Sequence, residues 1–132
     1  MKNIIKHAKN KEITILIADA NNEDKTTIYE YFLKKNYSVE TAKQAVEVIQ
    51  KVQDRNIDIL IMDVELLGMK GYDIIPILKK MDPELPIIMT SNNGSVELAK
   101  RVRENKVLFY SIKPLDMGEI NLVVQDILNK KH

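Results

Sequence analysis

The sequence predicts a three-layer α/β sandwich, in which a five-stranded parallel sheet of order 2-1-3-4-5 is covered by five helices. Three observations carry that prediction. Five short runs rich in branched aliphatic residues recur along the chain, segments with helical periodicity separate them, and 132 residues suit one domain with a sizeable core. Strict strand–helix alternation argues for parallel strands, because right-handed crossovers place helices on both faces of such a sheet.

The first run, residues 13–18 (ITILIA), is apolar on both parities, as expected of a strand covered on both faces. Asn21 or Asn22 can cap the helix that follows, which carries Ile28, Tyr31 and Phe32 and ends near Lys35. Residues 37–41 (YSVET) alternate in polarity and read as an edge strand. Thr41 is the expected cap of the second helix, with Ala42, Ala45, Val46 and Ile49 on its apolar side. Residues 57–62 (IDILIM) form the third strand, and residues 71–81 the third helix, inside which Pro76 removes a backbone donor. Residues 86–90 form the fourth strand. The fourth helix starts near Ser95, with Val96, Ala99 and Val102 on its buried stripe and Leu98 off it as an exposed apolar residue. Residues 107–112 form the fifth strand. The last helix opens near Asp116 and shows Ile120, Val123, Val124, Ile127 and Leu128. The expected topology is flavodoxin-like. One domain is expected over 13–130, behind a polar, lysine-rich extension at 1–12.

Composition narrows the function classes. A formal net charge of +1 sets no strong field toward nucleic acid or an anionic membrane. No apolar run approaches the roughly 18 residues of a membrane span, and MKNIIKHAKNKE lacks the features of a signal peptide. The absence of cysteine excludes disulfides, thiolate metal sites and a cysteine nucleophile. A cytoplasmic location is the expectation. His7 and His132 stand in polar termini and are not expected to be ligands.

In an open parallel sheet, ligands bind beyond the carboxyl ends of the strands, at the switch point of the topology. Asp19 follows the first strand, Asp63 the third, Thr90 and Ser91 the fourth, and Lys113-Pro114 the fifth. The order 2-1-3-4-5 sets strands one and three side by side, so Asp19 and Asp63 should meet. Each residue alone has an ordinary reading: an aspartate after a strand is commonly a cap or turn former, and a lone lysine a solvated charge. Their joint placement at the carboxyl edge of one sheet is the informative observation.

The segment IDILIMDVELLGMKGYD, residues 57–73, together with ILIAD, PIIMTS and YSIKP, resembles the receiver domains of two-component response regulators, among them the chemotaxis regulator, from Ile13 to Leu128. The resemblance implies that Asp63 accepts a phosphoryl group, that Asp19 belongs to an acidic Mg²⁺ pocket, and that Ser91 and Lys113 hold phosphoryl oxygens. It also implies that Tyr110 is a switch residue and that the Lys113–Pro114 bond is cis. Counting along the fourth strand selects Ser91 over Thr90 for the hydroxyl position.

The family usually has two adjacent acids after strand one, and this chain has Asp19-Ala20. Glu65 is the expected source of the missing charge at the metal site, while Glu23 and Asp24 read as first-turn helix acids. The implied donor is a histidine kinase or a histidine phosphotransfer protein, and the implied recipients are an effector protein or output domain. A homodimer through the fourth helix, fifth strand and fifth helix also belongs to the pattern. The chain is expected to be a switch rather than an enzyme, with no nucleic-acid or membrane contact by this domain. A degenerate receiver that binds partners without phosphate is the alternative, resting on Ala20. A flavodoxin-like enzyme would need a glycine- or hydroxyl-rich phosphate loop after strand one, which ADANNED does not provide.

Overall fold

A computed structural model describes residues 12–130, so all of the expected extension except Glu12 lies outside the described residues, as do His7 and His132. Among the described residues, β1 (Thr14–Ala18), α1 (Asn22–Lys34), β2 (Ser38–Ala42), α2 (Ala45–Asp54), β3 (Ile59–Asp63), α3 (Gly71–Met81), β4 (Ile87–Ser91), α4 (Val96–Arg103), β5 (Phe109–Ile112) and α5 (Met117–Lys130) alternate along the chain. All four strand pairings are parallel, and the order is β2-β1-β3-β4-β5.

The period of two along each strand divides the core into two layers. Leu16, Ala18, Leu60, Met62, Ile87 and Met89 face α2, α3 and α4, where they meet Val48, Ile74, Leu78 and Val102. Ile15, Ile17, Ile59, Ile61 and Ile88 face α1 and α5, where they meet Ile28, Phe32, Ile120 and Val124. The central strands β1, β3 and β4 are buried on both faces, which is why their sequences lack alternation. The Phe32 ring packs edge-on against Tyr31 and Tyr37, at centroid distances of 5.1 and 5.7 Å.

Local chemistry sets the helix starts. Asn21 caps α1 by accepting from the Asp24 N–H at 2.9 Å, and Ser95 caps α4 by accepting from the Leu98 N–H. The second helix departs from the sequence expectation. Thr41 and Ala42 remain extended and pair with β1, so the helix begins at Ala45, with Glu47 accepting from the Gln44 N–H at 3.1 Å. Its buried stripe is Ala45, Val48 and Val52, and Val46 is exposed. In α4 the phase also differs: Val96 is 79% exposed, while Leu98 packs against the core. A helix of eight residues gives too few turns for the periodicity to settle which stripe is buried. The fifth strand is shorter than expected, since Val107 and Leu108 precede the ladder at Phe109.

Candidate functional site

The carboxyl ends of β1, β3, β4 and β5 converge on one pocket. Asp63 is the last residue of β3 and only 2% exposed. It shares parity with Ile59 and Ile61, so its side chain leaves the sheet on the α1/α5 side. In register beside it stands Thr90. The Thr90 hydroxyl donates to Asp63 Oδ1 at 2.8 Å, and the Glu65 backbone N–H donates to Asp63 Oδ2 at 2.9 Å. Both carboxylate oxygens are thus fixed in direction.

The loop after β3 is held tight against the strand. The Val64 N–H bonds the Thr90 carbonyl at 2.9 Å, the Gly71 N–H bonds the Val64 carbonyl at 2.7 Å, and Glu65 and Lys70 form an antiparallel bridge. Gly68 turns the loop at φ +99°, a left-handed conformation that suits glycine. Gly71 is required for a different reason: a Cβ there would overlap the Asp63 carbonyl oxygen.

Asp19 directly follows β1 and is also 2% exposed. The Asn21 N–H donates to its Oδ1 at 2.9 Å. Lys113 follows β5, positioned by its own N–H bonding the Ser91 carbonyl at 2.8 Å and by a cis bond to Pro114. Its Nζ stands 2.8 Å from Asp19 Oδ2, 2.8 Å from Asp24 Oδ2 and 3.1 Å from Asp63 Oδ1. One ammonium is therefore divided among three carboxylates. Burial alone would pull the Lys113 pKa down, but the bonds to Asp19 and Asp24 and the charge of Asp63 outweigh it and hold the pKa above the ordinary lysine value. Asp19 moves the other way for an acid beside a cation. Burial raises its pKa, and the neighbouring Asp63 charge adds to that, against the lowering by Lys113 and the Asn21 N–H. The pocket carries more negative charge than its single lysine neutralises.

The expected residues divide into two groups. Asp19, Asp63 and Lys113 meet. Ser91 has the opposite strand parity to Thr90, and its hydroxyl meets the backbone of Asn93, accepting from the N–H at 2.8 Å and donating to the carbonyl at 3.3 Å. The Tyr110 hydroxyl donates to the same carbonyl at 3.2 Å. The Glu65 side chain is 60% exposed and pairs with Lys70 Nζ at 2.5 and 2.7 Å, while its backbone carbonyl accepts from the Ala20 N–H at 3.2 Å. The choice of Ser91 over Thr90 is corrected: the hydroxyl on Asp63 is that of Thr90, because strand parity turns Ser91 to the other layer. Asp24 was not anticipated, since its contact depends on how α1 sits over the sheet. Among the described residues no group of three or more His, Cys, Asp or Glu is arranged to hold a metal. Asp19 and Asp63 alone offer the one or two carboxylates that suffice for a hard cation keeping most of its waters.

Residues 15–125 match the family model of the response regulator receiver domain. The chain belongs to that family. The receiver family is a signalling switch of two-component systems rather than an enzyme in the ordinary sense. The chain is 32% identical over 116 residues to the DNA-binding transcriptional regulator NtrC of Azospirillum brasilense, covering 88% of this chain and 24% of that regulator. It is 26% identical over 117 residues to sporulation initiation phosphotransferase F of Bacillus subtilis, covering 89% of this chain and 94% of that protein. A two-component response regulator from Clostridium difficile has the same fold, with a TM-score of 0.86, 19% identity, and coverage of 91% of this chain and 98% of that one. This receiver thus spans about a quarter of the NtrC relative and nearly all of the phosphotransferase. No helix among its described residues is long and apolar enough to cross a membrane.

Proposed function

We propose that this receiver accepts a phosphoryl group on Asp63 and passes the change to a protein partner through its surface. The observation that carries the reading is the buried Asp63 carboxylate with Lys113 Nζ 3.1 Å from one of its oxygens and Asp19 on the same ammonium. In the step, an Asp63 oxygen forms a bond to phosphorus as the donor's P–N bond breaks, and the departing imidazole takes a proton from solvent. The protein's part is positioning and charge neutralisation. Asp63 is aimed by Thr90 and the Glu65 N–H. Lys113 neutralises one incoming phosphoryl oxygen. Receiver domains generally bind Mg²⁺ at this site; here Asp19 and Asp63 would hold it, and when bound it supplies the charge that offsets repulsion between carboxylate and phosphoryl group.

Thr90, with Ser91 and Tyr110 bonded to the loop that follows β4, forms the readout. The Ser91 and Tyr110 hydroxyls both bond the Asn93 carbonyl in that loop. When Thr90, the hydroxyl already on Asp63, turns to a phosphoryl oxygen, the shift of β4 and this loop alters the anchor of the Tyr110 ring. That couples a local charge change to the face of α4, β5 and α5, where Val96, Leu108 and Ile112 are exposed. This face is the surface for an effector, an output domain or a second copy. The donor is a histidine kinase or phosphotransfer protein, the receiver unit is 13–130, and the compartment is the cytoplasm. Self-catalysed phosphorylation and hydrolysis are slow.

Acetyl phosphate with Mg²⁺, read by intact mass, tests the reading. One added phosphoryl group, which does not form when a chelator is present from the start, is the expected result. No label at any Mg²⁺ concentration would favour a phosphate-independent interaction module built around Ala20.

A further inference from the structure

Lys113 has one partner that the proposed chemistry does not require. Asp24, in the first turn of α1, places Oδ2 2.8 Å from Lys113 Nζ, as near as Asp19 and nearer than Asp63. The Lys113 ammonium donates hydrogen bonds to Asp19 and Asp24, while Asp63 stands at ion-pair distance only. The Asp24 side chain is 37% exposed and covers the solvent side of a lysine that is itself 7% exposed. Three carboxylates against one ammonium give the pocket a formal charge of −2. A pocket with two acids after β1, an acceptor aspartate and a lysine has the same formal sum; here position 20 is alanine, and the third acid is Asp24 in the first turn of α1.

We infer that Asp24 is a positioning residue that replaces the charge absent at Ala20: it draws the Lys113 ammonium toward α1 and so leaves the Asp19 and Asp63 carboxylates open to a divalent cation. The inference rests on the proposed role of Asp63 and deepens it. Asp24 acts through Lys113 and does not ligate the cation. Without it, the ammonium bears more heavily on Asp19 and Asp63 and competes with the metal for both.

The test is MgCl₂ titration of the unphosphorylated protein followed by amide NMR shifts, whose dispersion also verifies the fold of each variant. Asp24→Asn is expected to weaken Mg²⁺ binding roughly three- to tenfold, less than buried outer-shell partners of metals do because Asp24 is partly exposed. In a Lys113→Gln background the same substitution should change affinity less than about twofold, since a residue acting through another loses its effect when that residue is gone. Glu23→Gln removes an equal charge from the same helical turn and should bind Mg²⁺ as the parent does. The inference is overturned by parental affinity in Asp24→Asn, by an equal loss in both backgrounds, or by a matching loss in Glu23→Gln. A parent chain that binds Mg²⁺ but takes no phosphoryl group sinks the proposed function alone, while a parent that binds no Mg²⁺ sinks both.

Discussion

Replacing Lys113 by glutamine removes the only cation within ion-pair distance of Asp19, Asp24 and Asp63 among the described residues. Asp19 and Asp63 have side chains 3% and 2% exposed, so they cannot recover hydration, whereas Asp24 at 37% largely can. Breaking a buried ion pair by removing one partner costs about 3–5 kcal/mol. Proton uptake by Asp19, whose pKa burial already raises, relieves part of this, which leaves about 2–4 kcal/mol at neutral pH. For a domain of this size that lowers Tm by roughly 10 °C. The loss should be recoverable by a divalent cation. A metal at a hundredfold excess over its Kd contributes about 2.7 kcal/mol, and in Lys113→Gln it meets no competing ammonium. Thermal melts with and without MgCl₂ should therefore show a large deficit without metal and a larger Mg²⁺-induced rise in the variant than in the parent. A variant that melts with the parent in the absence of metal, or a larger Mg²⁺ increment in the parent, would refute the reading of Lys113 as the pocket's neutralising charge.

Thr90→Val keeps the shape of the side chain but removes the donor to Asp63 Oδ1; a hydrogen bond to a buried charge is worth about 1.5–3 kcal/mol, and urea denaturation should show a loss in that range. Ser91→Ala, whose hydroxyl meets only loop backbone at Asn93, should cost less than about 1 kcal/mol; the reverse ranking would contradict the strand register. Asp19 is harder to ionise in the folded chain than in the unfolded one, so its ionised form costs stability above the folded pKa and the cost vanishes as pH falls through it. Metal-free Asp19→Asn should accordingly be more stable than the parent at neutral pH, with the advantage shrinking on acidification; a pH-independent difference in melting temperature would count against this. Gly71→Ala forces a Cβ onto the Asp63 carbonyl oxygen, a backbone atom with no rotamer to move to. Overpacking of this kind costs about 1–3 kcal/mol, and a denaturant midpoint equal to the parent's would show that the α3 start yields without strain.

The five strands were legible because central parallel strands are buried on both faces and therefore read as dense aliphatic runs, as in Ile59–Asp63 and Ile87–Ser91. Asp19, Asp63 and Lys113 were legible because topology alone places strand ends, and the order β2-β1-β3-β4-β5 brings those ends together. What the sequence left open depends on rotation about an element. Counting along β4 reached Thr90 and Ser91, but their division of labour follows from parity: Thr90 pairs with Asp63 in the register and shares its face, and Ser91 points to the other layer. Asp24 reads as a helix-dipole acid until the seat of α1 puts its carboxylate on Lys113. The start of α2 was misplaced because Thr41 and Ala42 satisfy their backbone groups in the β1 ladder, a long-range competitor that a local cap signal cannot reveal. Val46 and Leu98 were assigned to the wrong sides of their helices for want of enough turns to fix the phase.

The central claim is that Asp63 carries the phosphoryl group, and locating the label tests it most directly. After reaction with acetyl phosphate and Mg²⁺, borohydride reduction converts an aspartyl phosphate to homoserine, which peptide mass spectrometry can place in the chain. Homoserine at position 63 and at no other aspartate, with no conversion in Asp63→Asn, is the result expected. Conversion at Asp19 or Asp24, label that survives in Asp63→Asn, or a fully unlabelled parent would contradict it.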